Sequence, residues 1–217
     1  MRPYNVVLFD LDGTLTDPGE GITKSVAYAL KKFGIEIEDL TSLYKFIGPP
    51  LADSFMKYFS FTREEAFTAV DYYREYYSVT GIFQNIMYEG IDSLLQALFN
   101  HGMQIVLATS KPKVFAEKIL DEFKISKYFK YISGSELDGT HVNKDEVIAD
   151  ALSACGIASP EGLIMVGDRE YDVLGAKKHG IDSVGVLFGY GSREELKSAG
   201  ATYIAETVQD IGRIILG

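Results

Sequence analysis

The chain alternates short apolar runs with longer stretches in which apolar residues recur every three or four positions. The runs Val6–Phe9, Gln104–Ala108, Leu163–Val166 and Ser183–Leu187 are too short for helices and largely apolar, the signature of strands buried on both faces. Between them, Ile91, Leu94, Leu95 and Leu98 keep helical spacing and stop at His101-Gly102. Ala116, Ile119, Leu120 and Phe123 do the same after Pro112, and Val147, Ala151 and Ala154 do so up to Gly156. Strands that alternate with helices predict a parallel sheet with crossover connections, a doubly wound α/β core.

One region departs from this rhythm. From Asp17 to Ile86 no strand-like run occurs, and the helical patterns Val26, Ala27, Leu30, Phe33 and Ala66, Val70, Tyr73, Tyr77 follow one another. The simplest reading is an all-helical insert at residues 17–86, with residues 1–16 and 87–217 forming the α/β core domain. The insert holds 14 of the 27 Phe and Tyr residues. A small bundle needs bulky rings to fill its interior, which accounts for most of them and leaves a few to line a mouth.

Composition narrows the class. With 217 residues, 47% hydrophobic, the chain is long enough for one core and a modest insert. A chain of this length buries about 70% of its unfolded surface, so it needs neither disulfides nor a structural metal. Its single cysteine, Cys155, has no intrachain partner. A formal charge of −10 leaves no basic surface for a polyphosphate backbone, which argues against nucleic acid as a partner but not against one small phosphate ester. Only Val6–Phe9 precedes the first aspartate, far short of a signal-peptide core, and no stretch approaches the ~20 apolar residues of a membrane span. A cytoplasmic location without a membrane partner is the expectation.

Candidate chemistry lies where the apolar runs end. The first run leads into Asp10-Leu11-Asp12-Gly13-Thr14, and ligands of open α/β sheets bind outside the carboxyl ends of the strands. Two carboxylates so close repel one another, so a cation or a proton must accompany them. The third run leads into Gly167-Asp168-Arg169-Glu170-Tyr171-Asp172, where a helical turn would place Asp168 and Asp172 on one side. Alone, Asp10-x-Asp12 would read as a solvated turn and Asp168 and Asp172 as helix caps, but the four together form an oxygen-rich cluster suited to Mg²⁺. The second run ends in Thr109-Ser110-Lys111-Pro112, a hydroxyl and backbone N–H groups able to hold a phosphoryl oxygen. Lys144 opens a helix, where a cation opposes the helix dipole, consistent with a task at a phosphate.

In this order and spacing, Asp10-x-Asp12-Gly-Thr, Thr109, Lys144 and Gly-Asp168-x-x-x-Asp172 resemble the four motifs of haloacid dehalogenase superfamily phosphatases, and the insert resembles that family's type 1 helical cap. The likeness spans most of the chain. Within the family it is similar to the phosphoglycolate phosphatase group, and Phe46-Ile47-Gly48-Pro49-Pro50-Leu51 resembles a cap loop of bacterial members assigned as 5'-nucleotidases. The resemblance implies a phosphomonoester hydrolase with Asp10 as nucleophile and Asp12 as general acid and base. It implies Thr109, Ser110 and Lys144 as phosphate-binding residues. Mg²⁺ would be held by Asp10, the Asp12 carbonyl, Asp168 and Asp172, the last directly or through water. The substrate would be a small phosphorylated metabolite: a nucleoside 5'-monophosphate met by Lys45, Phe46, Gly48 and Pro49, with phosphoglycolate as the alternative. A sugar phosphomutase of the same fold keeps Asp12 and remains open, as does a non-catalytic phospho-ligand module. A dehalogenase is disfavoured, because a departing halide needs no acid at Asp12.

Overall fold

The structure, a computed structural model, is described here for residues 4–217. It divides into two compact units, one ending at Thr16 and resuming at Met87, the other Asp17–Ile86. The chain opens with β1 (Val6–Phe9) and the short β2 (Thr16–Asp17). It then forms α1 (Gly19–Lys32), a 3-10 segment (Leu40–Phe46), α2 (Leu51–Phe59), α3 (Arg63–Tyr77) and a second 3-10 turn (Gly81–Phe83). After β3 (Ile86–Met87) come α4 (Ile91–Asn100), β4 (Gln104–Pro112), α5 (Lys113–Glu122), a 3-10 turn (Ser126–Tyr128) and β5 (Phe129–Ser135). The remainder is α6 (Lys144–Ala154), β6 (Leu163–Gly167), α7 (Glu170–Lys178), β7 (Asp182–Val186), α8 (Arg193–Ala199), β8 (Tyr203–Ala205) and α9 (Val208–Leu216).

Six strands form one parallel sheet in the order β5-β4-β1-β6-β7-β8. The chain winds outward from β1 through β4 to β5, then returns to the other side of β1 with β6. The direction of winding reverses there, and the carboxyl ends of β4, β1 and β6 lie side by side around the crevice such a reversal creates. Alternation along the strands divides the core. Val6, Leu8, Val106, Ala108, Leu163 and Met165 share one buried cluster with Val147, Ile148 and Ala151 of α6 and Ala176 of α7. The intervening Val7, Phe9, Ile105, Leu107, Ile164 and Val166 face the other side and are equally buried, as a strand's period of two requires.

The doubly wound core is therefore as expected, but it has two more strands than the apolar runs indicate. Both are edges: β5 is only partly buried over its first half, and β8 has three residues, one of them exposed. Edge strands face solvent and lack the unbroken apolar character that marks β1 and β6.

The second unit is helical. Its interior is aromatic: Phe46 packs on Phe55 and Tyr58, with ring centroids 5.0 and 5.7 Å away, and Phe55 stacks on Phe61 at 5.9 Å. The start of α3 is fixed by a capping box in which the Thr62 hydroxyl receives the Glu65 N–H and the Glu65 carboxylate receives the Thr62 N–H.

Candidate active site

Beyond β1, Asp10 N donates to the Val166 carbonyl at 2.9 Å, continuing the pairing of β1 with β6 by one residue. The chain then closes into a tight loop: the N–H groups of Thr14, Leu15 and Thr16 all reach the Leu11 carbonyl, and Gly13 N donates to Thr16 O at 2.8 Å. Gly13 sits at φ +81°, and a Cβ there would lie 2.2 Å from Asp168 Oδ2, so only glycine serves both the turn and its neighbour.

This loop and the end of β6 bring three carboxylates together. Oxygens of Asp10, Asp168 and Asp172 lie within 4.8 Å of one another, all buried. Asp172 stands in the first turn of α7, where its Oδ2 accepts the Arg169 N–H at 3.0 Å. Asp168 Oδ2 accepts the Tyr190 N–H at 2.7 Å, from the Gly189-Tyr190-Gly191 segment beyond β7. A Cβ on Gly191 would come within 1.9 Å of the Asp168 carbonyl, so this segment can seat itself against Asp168 only without a side chain there.

Two buried lysines supply the positive charge. Lys144, at the start of α6, donates to Asp10 Oδ1 at 2.7 Å and to the Ala108 carbonyl at 3.0 Å, and lies 2.8 Å from Asp172 Oδ1. Lys111, near the end of β4, donates to Asp12 Oδ2 at 2.5 Å. Thr109 is buried beside them, and its hydroxyl oxygen accepts the Lys111 N–H at 3.3 Å.

The ionisation of these groups follows from burial and from one another. Burial pushes Asp168 well above the usual carboxylate range, and the charges of Asp172 and Asp10 push in the same direction. Burial raises Asp172 to about 6 against the opposing pull of Lys144. Asp12 is likewise raised by burial, with Lys111 pulling it back. Burial alone would lower Lys144, but the carboxylates of Asp10 and Asp172 outweigh it and hold the ammonium above the ordinary lysine range. Four carboxylates and two ammonium groups, fully ionised, leave two uncompensated negative charges in a buried site. That is the charge of one divalent cation, and the buried Oδ1 atoms of Asp12 and Asp168 have no hydrogen-bond partner. An all-oxygen donor set of this kind suits Mg²⁺.

The core positions singled out from sequence, Asp10, Asp12, Thr109, Ser110, Lys144, Asp168 and Asp172, thus lie at the ends of β1, β4 and β6 and the starts of α6 and α7. The carboxylate of Asp12 stands outside the three-acid cluster, drawn to Lys111, so any share it takes in a metal site falls to its backbone. Lys111 and the Tyr190 N–H were not anticipated. The Gly-Tyr-Gly signature just past the fourth apolar run is the signal for the latter.

The insert departs from expectation at Phe46. The resemblance implies that this ring meets the substrate, but it is 1% exposed and packed among Phe55, Tyr58 and Phe59. A small helical unit has few other ways to bury apolar area, and Phe46 supplies it. Lys45 is exposed, its ammonium 4.5 Å from the centre of the Tyr58 ring, and Gly48 takes φ +103° ahead of Pro49-Pro50, where α2 begins. Among the described residues no helix is long and apolar enough to cross a membrane.

The sequence profile of the haloacid dehalogenase-like hydrolases matches residues 7–186. A 5'-nucleotidase of Pseudomonas aeruginosa is 45% identical over 98% of this chain and 96% of its own length. The tyrosine-protein kinase PtkA of Mycobacterium tuberculosis is 37% identical over 95% of this chain and 70% of its own. Among solved structures, a predicted phosphatase from Clostridium acetobutylicum superposes with a TM-score of 0.96 at 54% identity, covering 99% of both chains. The chain belongs to the haloacid dehalogenase-like hydrolase family, and it is an enzyme of the phosphatase kind.

Proposed function

We infer that the enzyme hydrolyses phosphate monoesters through a phosphorylated Asp10 and that its substrates are nucleoside 5'-monophosphates. The observation that carries the chemistry is the buried set of four aspartates and two lysines at three adjacent strand ends and the starts of α6 and α7. The substrate class is supported by the 45% identical 5'-nucleotidase, which matches nearly end to end. It no longer draws support from Phe46, whose ring faces are occupied.

Asp10, Asp168 and Asp172, with the Asp12 carbonyl, would hold Mg²⁺, which offsets the repulsion between an anionic nucleophile and an anionic ester. The Asp10 carboxylate attacks phosphorus, and the bond from phosphorus to the ester oxygen breaks. Asp12 gives its proton to that oxygen, so the alcohol leaves neutral. Asp12, now a carboxylate, takes a proton from water as that water attacks the phosphorylated Asp10, releasing phosphate and restoring both aspartates. The Thr109 hydroxyl, the Ser110 N–H and the Lys144 ammonium supply donors for the phosphoryl oxygens, where charge stabilisation does most of the catalytic work. Lys144 also holds Asp10 in place through its three oxygen contacts.

The test is phosphate release over a panel of monoesters with and without added Mg²⁺. Nucleoside 5'-monophosphates should give the highest kcat/KM, and chelation should abolish turnover. A tenfold or greater preference for phosphoglycolate would replace the nucleotide reading. Transfer between positions of a hexose phosphate without release of phosphate would replace hydrolysis altogether.

A further inference from the structure

Lys111 lies on an irregular piece of β4. Ala108 pairs with Ser133 and Pro112 pairs with Ser135, so four steps along β4 oppose two along β5. The extra residues bulge between Ala108 and Pro112, and a bulge re-aims the side chains it carries. Gly134 makes room for it, since a Cβ there would sit 2.8 Å from both the Lys111 carbonyl and the Lys113 Cα. The result is a buried ion pair between Lys111 and Asp12 whose two side chains are 4% and 11% exposed.

The pair treats the two oxygens of Asp12 differently. Oδ2 accepts from Lys111 Nζ, whereas Oδ1 is buried with no hydrogen-bond partner. Buried polar atoms are rarely left unpaired, and those that are often belong to chemistry that needs them. We propose that Lys111 is the positioning residue of the proton-transfer step: by holding Oδ2 it fixes the rotation of the Asp12 carboxyl and reserves Oδ1 for the ester oxygen and, later, for the attacking water. The proposal rests on Asp12 being the acid of the function inferred above.

The experiment compares an ester that needs an acid with one that hardly does. Lys111→Met keeps the aliphatic stem and removes the ammonium; it is assayed on AMP and on 4-nitrophenyl phosphate beside Asp12→Asn, with a melting curve for each variant. The account predicts that Lys111→Met loses about tenfold or more in kcat on AMP and less than about threefold on the aryl ester, with KM nearly unchanged. In the double variant Lys111→Met/Asp12→Asn the lysine change should add nothing, because Asp12 has no proton left to aim. Equal losses on both esters, or a raised KM with kcat intact, would overturn the proposal and make Lys111 a structural or phosphate-binding group. If Asp12→Asn shows the leaving-group-dependent loss and Lys111→Met does not, the proposal fails while the acid role of Asp12 stands. If Asp12→Asn itself loses equally on both esters, the acid role fails. Should Lys111→Met not fold, Lys111→Gln carries the same comparison.

Discussion

In the unit built on the six-stranded sheet, Asp10, Asp12, Lys111, Lys144, Asp168 and Asp172 are all buried. In the unit Asp17–Ile86 no described charged residue is, and Leu30, Phe46, Phe55, Tyr73 and Tyr77 are buried instead. Two buried hydroxyls of that unit are answered within their own helix, Thr23 by Gly19 O at 2.7 Å and Ser25 by Gly21 O at 2.6 Å. Burying a charge is costly unless partners surround it, and apolar residues of similar volume would often serve stability as well or better. The contrast separates two kinds of interior, one arranged around chemistry and one around packing. Substitutions in the two should fail in different ways.

The largest effect belongs to the nucleophile. Asp10→Asn should cut phosphate release by more than about a thousandfold while the melting temperature stays within a few degrees of wild type. A folded variant with near-normal turnover would break the contrast at its strongest point. Phe46→Ala is the mirror case. Emptying a ring from the aromatic interior should cost about 3–5 kcal/mol, read by denaturant unfolding of the whole chain. The loss in kcat/KM should be similar for nucleotides and for a small aryl phosphate. A loss confined to nucleotides would mean that the ring recognises substrate after all.

Metal depletion probes the buried charges directly. A carboxyl raised to about 6 in the fold, as Asp172 is, favours the native state when protonated. That contribution is fully present below the ordinary carboxylate pKa of about 4 and is lost as pH rises through about 6. The chelated protein should therefore melt at a higher temperature at pH 5.5 than at pH 7.5, and added Mg²⁺ should raise the melting temperature more at pH 7.5, where no proton competes for the carboxylates. No pH dependence in that window would mean that the acids are compensated without a cation. The smallest effect is expected at an exposed cap. Thr62→Ala removes the hydroxyl that starts α3 and should cost about 1 kcal/mol, with kcat unchanged.

Much of this is legible in the sequence. The central strands β1, β4, β6 and β7 are buried on both faces, so their composition alone marks them, and the acids follow directly at the ends of β1 and β6. The rest depends on geometry that composition does not encode. The edges β5 and β8 face solvent and look like ordinary polar chain. Lys111 reads as a surface lysine beside Pro112 until the bulge in β4 turns it toward Asp12. The Tyr190 N–H is a backbone group, and only the folded path of the Gly-Tyr-Gly segment brings it to Asp168. Phe46 is the opposite case: an aromatic ring next to Gly48-Pro49-Pro50 has the same identity whether it faces a ligand or Phe55.

Trapping the phosphorylated enzyme decides whether Asp10 is the nucleophile. Protein mixed with ³²P-labelled AMP and Mg²⁺, quenched in acid within a single turnover and digested, should carry label on the peptide containing Asp10. That label should be released by hydroxylamine, as an acyl phosphate is, and should be absent from Asp10→Asn. Its appearance and decay should both be at least as fast as kcat. Steady turnover with no label on that peptide, or with label on another residue, would contradict the account.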